Sequence, residues 1–120
     1  MIINGLPQKS GIELRQLWAG TLSATSTNIT LSESITNFTM VLIVWYAAGL
    51  RQRDMFVIPQ SGTFDVMDGV MVYYNGSSTY YASIEGQFTD SGTKFHLEQS
   101  RKNPSSWGSS NYVSAIYGVV

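Results

Sequence analysis

His96 stands between Lys94 and Glu98 and is the single histidine of the chain. A zinc site needs several nitrogen, sulfur or carboxylate ligands converging on one point. One histidine and no cysteine leave that set unfilled, so no metal site is expected. The same histidine is the only one available to a serine–histidine–aspartate hydrolase. No Gly-x-Ser-x-Gly elbow accompanies it, and the alternation around it places it on the wet face of a strand. Glycoside hydrolysis requires paired carboxyl groups across a sugar. Asp54, Asp65, Asp68, Glu85, Asp90 and Glu98 are instead scattered over turns and outward positions. Asp65 and Asp68 flank a turn, where aspartate holds the backbone or helps hold a cation. The chain reads as a non-enzyme with no catalytic residues and no cofactor.

Binding without chemistry asks for other side chains. Tyr73-Tyr74 and Tyr80-Tyr81 bracket Asn75-Gly-Ser-Ser-Thr79, a strong hairpin signal. Neighbours on a strand point to opposite faces, so each doublet sends one ring inward and one outward. An outward tyrosine suits a sugar ring or a subunit interface. Arg51-Gln52-Arg53-Asp54 reads as a polar loop. Ser100 to Ser110 reads as another, and it holds Arg101, Lys102 and Trp107. Sugar sites combine an aromatic platform with hydrogen-bonding side chains, and arginine clamps acidic groups. The candidate ligand-binding residues are therefore Arg51, Arg53, Asp54, Tyr73, Tyr81, Arg101, Lys102 and Trp107.

Composition narrows the partners. At 120 residues the chain is one domain's worth, large enough for a core. Its net charge of -1 offers no basic face to phosphates, which argues against nucleic acid. The longest apolar run, Met40 to Leu50, is shorter than the ~20 residues that span a bilayer. Met1 to Pro7 lacks the basic segment and long apolar core of a secretory signal. Only 12% of residues are charged, about half the usual share. A surface so sparsely charged favours close association with other protein.

The elements that must position these side chains are strands. Residues 1–11, with Asn4-Gly5, Pro7 and Ser10-Gly11, read as an irregular arm or linker. Residues 12–120 read as a single β-sandwich domain. Ile12, Leu14 and Trp18 alternate with Glu13, Arg15 and Leu17, though a short amphipathic helix over 11–17 also fits. Thr27 to Ser32, Met55 to Pro59, Val70 to Tyr74, Tyr80 to Phe88 and Thr93 to Gln99 follow as strands, the last with Phe95 and Leu97 inward. Phe38 to Tyr46 is apolar on both faces. Phe38, Met40, Leu42 and Val44 line one side, and Val41, Ile43 and Trp45 line the other. Asn111 to Val120 is an uncharged strand docked in a sheet. The sum is about seven or eight short antiparallel strands, a β-sandwich or jelly-roll-like fold. Opposed sheets bury only their inner faces, so the second face of Met40 to Tyr46 calls for a neighbouring subunit.

Three segments in order carry a family resemblance. They are Glu13-Leu-Arg-Gln-Leu-Trp-Ala-Gly20, then Ile29-Thr-Leu31 leading into Ile35-Thr-Asn-Phe-Thr39, and Val113-Ser-Ala-Ile-Tyr-Gly-Val119. Together they resemble small β-domains at the C-termini of bacteriophage tail fibres and related receptor-binding virion proteins. The resemblance implies a homotrimeric virion component that adheres to a host-surface glycan or protein receptor and performs no catalysis. It also implies contact with other virion proteins, and it carries over no individual binding residue. Arg51 to Asp54 and Tyr73 to Tyr81 match nothing in the pattern. A capsid or head decoration protein, or a head fibre, is the alternative role for the same architecture.

Overall fold

Runs of β-branched and aromatic residues alternate with polar ones through most of the chain, and strands form where they do. The computed structural model describes residues 2–3, 6–7, 13–23, 26–47, 50–58, 66–74, 76–103 and 111–120, with the backbone alone at 2, 3, 6, 7, 66–71, 73, 80 and 99–103. The strands are β1 (Ile2–Ile3), β2 (Leu6–Pro7), β3 (Leu14–Leu22), β4 (Thr27–Thr30), β5 (Met40–Ala47), β6 (Leu50–Val57), β7 (Val66–Tyr74), β8 (Thr79–Thr89), β9 (Lys94–Asn103) and β10 (Tyr112–Val119). A 3-10 turn over Ile35–Asn37 precedes β5.

Two four-stranded antiparallel sheets form the sandwich, sheet I in the order β3-β10-β5-β6 and sheet II in the order β4-β9-β8-β7. The first long strand pairs with the last, β3 with β10, and β4 pairs with β9. That nesting is jelly-roll-like, and the hairpins β5–β6 and β7–β8 complete it. Within residues 1–11, β1 and β2 form a separate two-residue ladder, Ile2 opposite Pro7 and Ile3 opposite Leu6.

The core lies between the sheets. Sheet I contributes Leu17, Leu22, Val41, Ile43, Trp45, Val113 and Ile116, and sheet II contributes Ala82, Ile84, Phe88, Phe95 and Leu97. Leu31, Ile35, Phe38 and Ile58 belong to the same buried cluster. Trp45 is fully buried, and its Nε1–H donates to Oδ2 of Asp54 on the edge strand β6. Asn111, also buried, donates from Nδ2 to the Ser83 carbonyl at 3.1 Å, linking the start of β10 to β8 in sheet II.

Glycines sit where aromatic rings lie flat on the backbone. A Cβ at Gly86 would stand 2.1 Å from Cζ of the fully buried Phe95, and one at Gly118 would stand 2.6 Å from the Phe38 ring. Overpacking a rigid core costs about 1–3 kcal/mol. Gly86→Ala is therefore expected to lower the unfolding free energy, measured by urea denaturation, by that amount, and Phe95→Leu in the same chain to recover part of the loss. An alanine variant as stable as the wild type would show that the ring moves freely.

The three segments that carry the family resemblance acquire physical roles. Leu17 enters the core, Trp18 is half-buried, and Gly20 gives the Trp18 ring its place. Ile35 and Phe38 close one end of the sandwich. Beside them Glu33 accepts from Arg15 Nη1 at 2.8 Å and from Asn37 Nδ2 at 2.8 Å. Hydrogen bonds from Arg15 first, and then from Asn37, hold the Glu33 carboxyl below its ordinary range. In the ending, Ile116 is buried, Tyr117 turns outward, and Gly118 lies beneath Phe38.

Several local expectations are corrected. Residues 14–17 belong to β3 and not to a helix, because hydrogen bonding to β10 outweighs the weak helical pattern. The inward residue there is Leu17, whereas Leu14 is exposed. Register shifts along the β3–β10 ladder displace the simple period of two. Arg51 to Asp54 is the middle of strand β6, not a loop, and β9 continues through Asn103.

Candidate functional site

Along the described parts of β8 and β9, sheet II turns an ordinary wet face outward. Ser83, Glu85 and Gln87 on β8 alternate with buried neighbours, as do Lys94, His96 and Glu98 around Phe95 and Leu97 on β9. His96 meets Asn28 Oδ1 at 2.9 Å and Glu98 Oε2 at 3.1 Å. One-faced antiparallel sheets have this pattern.

Sheet I departs from it. On β5, Val41, Ile43, Trp45 and Ala47 point into the core, so Met40, Leu42, Val44 and Tyr46 point out and remain half-buried. Strand pairing carries that apolar character across the sheet in rows. Leu14, Val119, Met40 and Val57 form one row. Gln16, Tyr117, Leu42 and Met55 form the next. Ala19, Ala115, Val44 and Arg53 follow, and Tyr112, Tyr46 and Arg51 close the series. The face therefore grades from an aliphatic end to an end of tyrosine and arginine. At the aliphatic end Val57 is 75% exposed and Met55 41%. Four strands about 4.8 Å apart and about six residues at 3.4 Å rise cover roughly 20 by 20 Å. The aliphatic rows fill about half of that face, and contiguous apolar surface of this kind commonly marks a binding surface.

The tyrosine–arginine end is concave. Tyr46 and Tyr112 stack with centroids 5.0 Å apart and planes within 11°. In the row before them Ala19, Ala115 and Val44 are small, and the β5–β10 register shifts between Val113 and Ala115. The cup encloses about 360 Å³ and is lined chiefly by Val44, Tyr46, Arg51, Arg53, Ala115 and Tyr117. Arg51 Nε donates to Tyr46 Oη at 2.9 Å, with its guanidinium 5.8 Å from that ring's centroid. The described ion pairs join Arg15 to Glu33, Lys94 to Asp90 and His96 to Glu98. Among the described residues, neither Arg51 nor Arg53 is held by a carboxylate.

The sequence-derived candidates do not converge. Arg51 and Arg53 share the outer face of sheet I. Asp54 turns the other way and anchors Trp45, so its role is internal support. Tyr81 is 44% exposed on sheet II, directly opposite Val72, which is 66% exposed. That pair makes a small apolar spot near the β7–β8 turn, on the opposite side of the sandwich from the arginines. Tyr73 lies in β7 opposite Tyr80, Arg101 in β9 opposite Ser83, and Lys102 opposite Ala82. Trp107 and Asp65 lie outside the described residues. Tyr46, Tyr112, Tyr117 and Ser114 escaped the sequence reading as site residues. Their signal was the small Ser114-Ala115 pair set between two tyrosines on a strand facing an apolar neighbour.

The described lining of the cup offers groups that bind and orient a ligand. Its polar groups are guanidinium, phenol and hydroxyl, with no carboxylate or imidazole among the lining residues. Among the described residues no three His, Asp or Glu side chains converge to hold a metal ion. No family model and no curated protein matches the chain.

Proposed function

We propose that this chain is a non-catalytic structural module of a bacteriophage particle, a tail-fibre or receptor-binding tip domain that assembles as a homotrimer. Its mechanism is multivalent adhesion: a weak site on each copy gains avidity when several copies engage one host surface. The observation that carries this reading is the outer face of sheet I. Leu14, Met40, Met55, Val57 and Val119 gather there on a sheet whose inner face is already committed to the core. Covering that aliphatic end with copies of itself takes apolar surface out of water at about 25 cal/mol per Å². The order of the three sequence segments supplies the phage context.

Sedimentation equilibrium on the purified chain tests the assembly. The expected result is a trimer at micromolar concentration, and a stable monomer rejects it. The same apolar face also fits other virion subunits, the decoration role. Adsorption to host cells supports the adhesion reading, whereas adsorption only to undecorated capsids replaces it with decoration.

A further inference from the structure

The cup at the tyrosine–arginine end has a chemistry that the aliphatic rows do not need. Assembly by apolar contact gains nothing from two guanidinium groups that no carboxylate holds among the described residues. Arg51 and Arg53 are two residues apart on one strand, so both project from the same face, about 6.8 Å apart along it. Arg51 is already oriented, because its Nε is committed to Tyr46 and its terminal nitrogens remain for a ligand. Beneath them lie apolar Leu42, Val44 and Ala115, and Tyr46 and Tyr117 form walls.

We infer that this cup is a binding subsite for a carboxylate-bearing sugar, such as a uronic acid unit of a surface polysaccharide. The inference rests on the adhesion reading and names the ligand class at that site. A guanidinium grips a carboxylate through parallel N–H···O bonds. The carbon-bound hydrogens of a sugar ring give the tyrosine and aliphatic surfaces something to cover, and its hydroxyls exchange hydrogen bonds with phenols. A volume of about 360 Å³ falls at the small end of ligand clefts, which run roughly 300–1,000 Å³. Inorganic phosphate matches the charge and leaves the apolar floor uncovered. An extended acidic peptide matches the charge and overruns the cup.

The test is a calorimetric titration of the assembled chain at low ionic strength with digalacturonate, its dimethyl ester, inorganic phosphate and tetraglutamate. Saturable binding of digalacturonate is expected, with the uncharged ester at least tenfold weaker. Arg51→Ala/Arg53→Ala should weaken binding of the acid at least tenfold, with the oligomeric mass and melting temperature unchanged. The Arg51→Lys/Arg53→Lys chain should recover only part, since ammonium lacks the planar fork. The assignment is overturned by equal binding of acid and ester, by an unaffected double alanine variant, or by tighter binding of phosphate or tetraglutamate. It is overturned equally by no binding of digalacturonate up to about 10 mM, or by dissociation of the double alanine variant, which would place the arginines in the subunit interface. Cell adsorption of the wild-type oligomer is measured alongside. Adsorption without acid binding removes this subsite and leaves the adhesion reading standing, whereas loss of both removes the adhesion reading as well.

Discussion

Trp45→Ala is expected to lose about 3–5 kcal/mol of stability, the usual cost of deleting a large buried aromatic. Single domains are stable by about 5–15 kcal/mol in total, so the variant should be largely unfolded under mild denaturant. Two effects add here. The indole is fully buried between the sheets, and its removal opens a cavity that the surrounding Val, Ile and Phe side chains cannot refill. It also leaves the Asp54 carboxylate, half-buried on β6, without the Nε1–H that it accepts. Trp45→Phe isolates the second effect. It keeps most of the ring volume and removes the donor, for an expected loss of about 1–3 kcal/mol. Trp45→Phe with Asp54→Leu should then recover stability, because both polar partners are gone together. Urea unfolding of the wild type, Trp45→Phe, Asp54→Leu and the double variant, followed by circular dichroism, measures the coupling. Additive losses from the two single changes would show that the indole–carboxylate contact contributes nothing.

The fold was legible because alternation was clean where it mattered. Phe95 and Leu97 against Lys94, His96 and Glu98 fixed β9 facing the core, and the structure keeps that arrangement. The doubly apolar run at Met40 to Tyr46 announced a second face, and the outer rows of sheet I are that face. Sequence alone left open which half of the run turned inward, because either set is apolar enough. Packing against sheet II chose Val41, Ile43 and Trp45. What failed to show was anything set by cross-strand register. Arg51 to Asp54 resembled a loop because four polar residues stood together. On an edge strand beside a tyrosine-bearing neighbour, the same residues alternate between cup and core support. The cup itself is built from β5, β6 and β10, with Leu14 of β3 at its margin, and residues as far apart as Tyr46 and Tyr117 meet only through pairing of the last strand. No local pattern reports such a meeting. The register shift between Val113 and Ala115, beside the cup, depends likewise on two ladders at once.

Charge placed at the aliphatic end separates assembly from folding. Met55→Glu/Val57→Glu puts two carboxylates on the outer face of β6, where Val57 is 75% exposed and Met55 41%. Neither side chain is part of the core cluster or the cup lining. The single-chain fold should therefore persist, with far-ultraviolet circular dichroism unchanged. The assembled state should not, because each interface would bury unpaired carboxylates, a loss of several kcal/mol per contact. Sedimentation is expected to show a monomer at the micromolar concentrations where the proposed wild-type trimer is expected. The cup remains whole in that monomer, so its affinity for digalacturonate per chain should match the wild type within about twofold. Attachment to cells should nevertheless fall by about 100-fold or more, because linked weak sites lose avidity when they are separated. A conservative Met55→Leu/Val57→Ile chain should stay assembled and adsorb normally. If the glutamate variant remains trimeric, copies meet elsewhere, and the exposed rows of sheet I belong to a different partner. If it becomes monomeric yet adsorbs as well as the wild type, attachment depends on one site of high affinity, and the multivalent mechanism is wrong.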